Sequence, residues 1–116
     1  MIDSHAHVLS EFYDDIDTLI NTAKEKNMYK IINCADSYST SIEVSKKDDN
    51  FLIPAIGIHP ENVSDLDNIN KLEELIKNNR IYAIGEIGLD YHYEDYDKEK
   101  QKELFNKQLD LAEKYN

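Results

Sequence analysis

Basic residues are in short supply in this chain: thirteen Lys and Arg stand against twenty-four Asp and Glu, for a formal net charge of −11. A surplus of that size repels polyanions unless a local source of positive charge intervenes, which weighs against an extended nucleic-acid surface. One cysteine, Cys34, excludes an intrachain disulfide and with it the stapled secreted folds, leaving a buried, inert thiol as the expectation. Two prolines and three glycines leave no material for a flexible linker or a low-complexity block. No apolar run approaches membrane-spanning length, and the opening Met1-Ile2-Asp3-Ser4-His5 lacks the basic and apolar regions of a signal peptide. A cytoplasmic protein with no membrane partner is expected, folded as a single domain over residues 1–116.

What is present is an alternation, repeated four times, of a short apolar run with a longer stretch of helical periodicity. That pattern predicts an α/β fold with a parallel sheet. Strands are expected near 2–5, 30–35, 53–58 and 81–86, and their richness in Ile suits burial on both faces. Helices are expected near 14–26, where Ile16, Leu19, Ile20 and Ala23 recur at spacings of three and four, and near 39–48, where the pattern is weak. A third is expected to begin at Ser64, capping with Asp67, and to run through Leu66, Ile69, Leu72, Leu75 and Ile76. The fourth, 97–115, carries Leu104, Phe105, Gln108, Leu109, Leu111, Ala112 and Tyr115 on one broad face. Four such units amount to half of a TIM-type (β/α)8 barrel.

Three short motifs fall at the ends of predicted strands, where barrel enzymes place their chemistry. His5 and His7 flank Ala6, and residues two apart in a strand share a side, so both imidazoles can reach one divalent metal. Two histidines satisfied by ordinary hydrogen bonds would read the same way. Gly85-Glu86-Ile87-Gly88-Leu89-Asp90-Tyr91 sets the Glu86 carboxylate between two glycines, which could permit close backbone approach or unusual dihedrals; a solvated acid on a tight turn is the alternative. His59, in Gly57-Ile58-His59-Pro60, is either a turn residue before proline or a donor to a phosphate oxygen. Two further stretches carry less. Tyr91 through Asp97 is both aromatic and acidic, either a stacking surface for an unpaired base or a loop over the mouth, and Lys46-Lys47-Asp48-Asp49 reads as a solvated turn.

Together, Asp3-Ser4-His5-Ala6-His7, Gly57-Ile58-His59-Pro60, the Gly85–Tyr91 run and Gln101 through Ala112 resemble the TatD deoxyribonuclease family of metal-dependent hydrolases, in family order and over essentially the whole chain. The resemblance is to the N-terminal half of such a barrel. It implies His5 and His7 as ligands of one metal, Glu86 as a ligand able to bridge two, and His59 in a phosphate pocket, with Glu86 and His59 as the catalytic positions. Asp90 would support the mouth of the site. Ala6 stands where cysteine is common in the family, at a position that is not a ligand. Two divalent ions per complete site, zinc, manganese or magnesium, and hydrolysis of DNA phosphodiesters by metal-activated water are implied as well.

The family also implies two later histidines and a final aspartate, none of which follows Asn116 in this sequence. Weak metal binding, little turnover and self-association into a homodimer through open sheet edges are therefore expected of this chain. The acidic balance keeps two other readings in view: a metal-dependent hydrolase of a small ester, amide or phosphate, and a non-catalytic chain that only folds and self-associates.

Overall fold

The computed structural model describes residues 1–47 and 50–115. Four strands form one sheet in the order β1-β2-β3-β4, parallel throughout: β1 (Ile2–Ala6), β2 (Lys30–Cys34), β3 (Leu52–Ile56) and β4 (Ala83–Ile84). The helices between and after them are α1 (Ile16–Glu25), α2 (Tyr38–Ser45), α3 (Ile69–Asn78) and α4 (Lys98–Lys114), with a 3-10 helix over Pro60–Asn68 leading into α3. The α/β class and the parallel sheet are as expected from the alternation. No helix among the described residues is long and apolar enough to cross a membrane.

Local chemistry sets most helix starts. Asp15 accepts from the Thr18 backbone N–H ahead of α1, Ser37 and Thr40 form a reciprocal capping box at α2, and Asp97 accepts from the Lys100 N–H at α4. The expected cap at Ser64 is corrected. Helical structure begins earlier, at Pro60, whose ring fixes φ for a first helical position, and His59 is its cap, with Nδ1 accepting from the Glu61 N–H. A break at Asn62 (φ −99°, ψ 38°) keeps this segment from being one regular helix, and α3 starts only at Ile69. The end of the second expected helix, at Asp48, and the Asp48-Asp49 part of the expected turn lie outside the described residues; Lys47 pairs with Glu43 at 2.8 Å.

Burial on both faces holds for β3, all five residues of which are buried, but not for β1 or β4, the two edges. The core has two parts. Leu9, Val44, Ile56, Ile58, Leu72, Leu104 and Leu111 pack α2, α3 and α4 against the sheet, and Val8, Ile20, Ile31, Phe51 and Leu52 receive α1. Burying each large aliphatic side chain there contributes about 1.5–3 kcal/mol. Outside the core, Glu73 of α3 accepts from Lys114 Nζ at 2.7 Å and Tyr115 Oη at 2.6 Å, bracing the end of α4; these hydrogen bonds hold its carboxyl down to about 2.

Candidate metal centre

All the sequence-derived candidates lie at the C-terminal end of the sheet. His5 is in β1 and His7 lies just beyond it; His59 follows β3 by three residues and Glu86 follows β4 by two. The β1–β2 register slips between Asp3 and Ala6, a bulge at which Asp3 Oδ1 accepts from the His5 N–H at 3.0 Å. Bulges re-aim side chains, and here both rings point into one cluster.

Glu86 is not strand-borne, as the expected span 81–86 had it. Pairing in β4 stops at Ile84, and the next residues cross the sheet end: the Gly85 N–H donates to the Ile56 carbonyl (2.9 Å) and the Glu86 N–H to the Ala35 carbonyl (2.8 Å). The glycine that makes this possible is Gly57. A Cβ there would sit 2.9 Å from the Gly85 carbonyl carbon, 2.9 Å from Ile87 Cγ2 and 3.1 Å from the Glu86 oxygen. Of Gly85 and Gly88, expected to serve close approach or unusual dihedrals, neither needs its missing side chain for space, since a Cβ on either meets nothing within 4 Å, and neither has positive φ; the Gly85–Glu86 peptide bond is cis.

The resulting geometry is compact. His5 Nε2 and His7 Nε2 are 3.2 Å apart, and Glu86 Oε2 lies 3.2 Å from the first and 3.4 Å from the second. His7 Nδ1 is 2.8 Å from the Cys34 carbonyl oxygen. A carbonyl only accepts, so Nδ1 carries the proton and Nε2 turns its lone pair to the cluster, the usual arrangement behind a ligating histidine. Ligands bonded to one tetrahedral ion at about 2.0–2.1 Å stand about 3.3 Å apart, so the spacing and the donor types fit a divalent metal. Half the His5 side chain is exposed, which leaves the cluster open to solvent. His59 joins from the other side, with Nε2 3.8 Å from Glu86 Oε1.

Asp90 does not enter the cluster. Its Oδ1 accepts from the His92 N–H and its own N–H donates to Gln101 Oε1, which makes it a turn-former at the mouth. Residues 91–97 form a loop. Cys34 is buried and free; burial, then the Glu86 charge, pushes its thiol up, in keeping with an inert role.

Sequence reasoning missed Asn33 and the backbone-holding role of Gln101 and Gln108, all three of them buried amides. Asn33 accepts from the Val8 N–H (2.7 Å) and donates to the Val8 carbonyl (3.1 Å), immediately after His7. Gln108 does the same to Ile58 (2.7 and 3.0 Å), immediately before His59. With Gln101 on Asp90, each site-bearing segment has an amide holding its backbone. Their signal was a polar side chain inside an apolar pattern: Asn33 within an Ile-rich strand, and Gln101 and Gln108 on the buried face of α4.

Parallel βα units with a His/His/Glu cluster at the strand ends define the class: an α/β protein with a candidate hydrolytic metal centre. The chain matches the TatD related DNase family over residues 2–116 and belongs to that family. It is 34% identical to the uncharacterized metal-dependent hydrolase YabD of Bacillus subtilis, over 100% of this chain and 48% of that protein. It is 27% identical to the deoxyribonuclease TATDN3 of Homo sapiens, over 100% of this chain and 49% of that one. Among solved structures, the TatD homologue YJJV of Escherichia coli K12 superposes with a TM-score of 0.77 at 28% identity, over 98% of this chain and 47% of that one. The chain spans about half the length of the curated relatives it matches.

Proposed function

We propose that the protein is a metal-dependent hydrolase of phosphodiester bonds, with DNA as its substrate class and His5, His7 and Glu86 as metal ligands. The mutual approach of His5 Nε2, His7 Nε2 and Glu86 Oε2 to 3.2–3.4 Å carries this reading, and the names of the relatives support the hydrolase and deoxyribonuclease parts of it. A divalent ion held there would supply Lewis-acid polarisation and water activation; zinc, manganese and magnesium are the candidates, two per complete site. The chain's own residues do the rest. His7 is oriented by the Cys34 carbonyl, Glu86 would hold the metal together with the histidine pair, and His59 offers an N–H to an anionic oxygen. The four units make half of a barrel, fold as one domain, and pair with a second copy.

The charge of −11 favours a second reading, a small ester, amide or phosphate as substrate with the same metal cluster. Titration of the 116-residue chain with zinc, manganese and magnesium, alongside His7→Ala and Glu86→Gln, tests the ligand set. Each substitution is expected to weaken binding tenfold or more; unchanged affinity in both would remove the proposed site. Cleavage of single-stranded DNA against a panel of small esters, amides and phosphates separates the two substrates. Slow turnover or none is expected from this chain, because a two-metal site needs more donors than His5, His7 and Glu86 supply.

A further inference from the structure

We infer that Tyr96 and Glu61, outside the metal cluster, are positioning residues that keep His59 an Nε2–H donor facing Glu86. Tyr96 belongs to the loop between β4 and α4, and its hydroxyl donates to Glu61 Oε1 at 2.8 Å. It is the least exposed member of an aromatic row: Tyr96 stands edge-on to Tyr93 at 5.1 Å, and Tyr93 edge-on to His92 at 4.6 Å. Glu61, in the first turn of the 3-10 helix, meets His59 twice. Its backbone N–H donates to Nδ1 at 3.2 Å, and its Oε2 lies 3.8 Å from the same nitrogen.

Those two contacts make opposite demands on one atom. The backbone N–H needs a lone pair on Nδ1, whereas the carboxylate favours a proton there. The Tyr96 O–H supplies Oε1 with a donor and holds Oε2 beyond hydrogen-bond reach, so the backbone contact prevails. A neutral ring then carries its proton on Nε2, which faces Glu86 Oε1 at 3.8 Å. From there it donates to an anionic substrate oxygen; the other tautomer would present a lone pair to that oxygen and repel it. Tyr96 keeps its proton across the ordinary pH range, since the hydrogen bond to Glu61 pushes its phenol up to about 12. The use of this donor in catalysis rests on the metal-hydrolase reading above, whereas the tautomer does not.

Ring-nitrogen NMR on the intact 116-residue chain at about pH 8.5, above the ordinary imidazole range, reads the tautomer directly. His59 is expected mainly as Nε2–H in the parent protein. It is expected to shift toward Nδ1–H in Tyr96→Phe, where the freed carboxylate can close on Nδ1. Glu61→Gln is expected to retain Nε2–H, because its amide oxygen still accepts from Tyr96 and no carboxylate competes. A parent His59 in the Nδ1–H form, or a Tyr96→Phe ring unchanged while only loop amides shift, overturns the inference; so does Glu61→Gln behaving like Tyr96→Phe. Zinc added to the same samples reports on His5 and His7. A metal-site failure therefore shows as unmoved His5 and His7 signals, whatever the tautomer of His59.

Discussion

At the scale of single residues, the centre depends as much on a missing side chain as on those present. Glu86 reaches the histidine pair because the backbone of residues 85–87 lies against Gly57, where a Cβ would fall 2.9 Å from a backbone carbon. A flexible side chain could yield to such a contact, but main chain tied to Ile56 and Ala35 cannot do so without losing hydrogen bonds. Gly57→Ala is therefore expected to cost about 1–3 kcal/mol of stability through overpacking. It should also lower metal affinity by displacing Glu86, although residue 57 touches no ligand atom. Gly88→Ala is the control, since its Cβ meets nothing within 4 Å. Equal effects of the two substitutions in thermal unfolding and zinc titration would contradict this account. The histidines and Glu86 were legible in the sequence because their types and strand-end positions announce them. The role of Gly57 was not, because it arises from two segments almost thirty positions apart.

At the scale of elements, legibility followed the range of the interaction. Ile-rich runs specified β1, β2 and β3 to within a few residues, since that pattern is local, whereas the one cap read from the sequence, Ser64, gave way to His59. The β4 span was overestimated because Gly85 and Glu86 leave the ladder to satisfy their N–H groups on Ile56 and Ala35, a choice no local pattern encodes. The amide clamps were hidden for the same reason: Gln108 and Ile58 are 50 positions apart. Gln108 is fully buried and satisfies both backbone groups of Ile58, so Gln108→Leu keeps the volume roughly constant while orphaning a buried N–H and a buried carbonyl. A loss of about 2–4 kcal/mol is expected from those two unpaired groups. Urea unfolding measures it, and a loss below about 1 kcal/mol would mean that Ile58 finds other partners. Leu109→Gln on the exposed side of the same helix should change little by comparison.

At the scale of the whole molecule, opposing effects act on the sheet edges. Among the described residues the order β1-β2-β3-β4 leaves β1 and β4 unpaired on their outer sides, as expected for half of a barrel, and exposed apolar residues lie beside both: Met1 and Ile2 at one edge, Tyr82 at the other. A groove lined by Ile76, Ile81, Tyr82, Ile84, Ala112 and Tyr115 extends the apolar surface next to β4. A two-fold axis can set β1 of each copy beside β4 of the other, closing both seams at once with equivalent contacts. Against this stand the two-residue length of β4 and the bulge in β1, both features that blunt an edge, and a charge of −11 on each copy. Few ladder bonds are on offer, so the apolar surface must drive pairing at about 25 cal/mol per Å², against a repulsion that salt screens. Self-association into a dimer is therefore expected, concentration-dependent and strengthened by salt. Light scattering across a protein series at low and high ionic strength measures both dependences. A monomer at every concentration and salt level would show that the short β4 and the β1 bulge protect the edges. Association that weakens with salt would show that charge complementarity, not burial of the edge surface, holds the copies together. Substituting Tyr82 by Lys at the β4 edge should abolish the dimer while leaving the His5–His7–Glu86 cluster, at the opposite end of the strands, able to bind zinc as before.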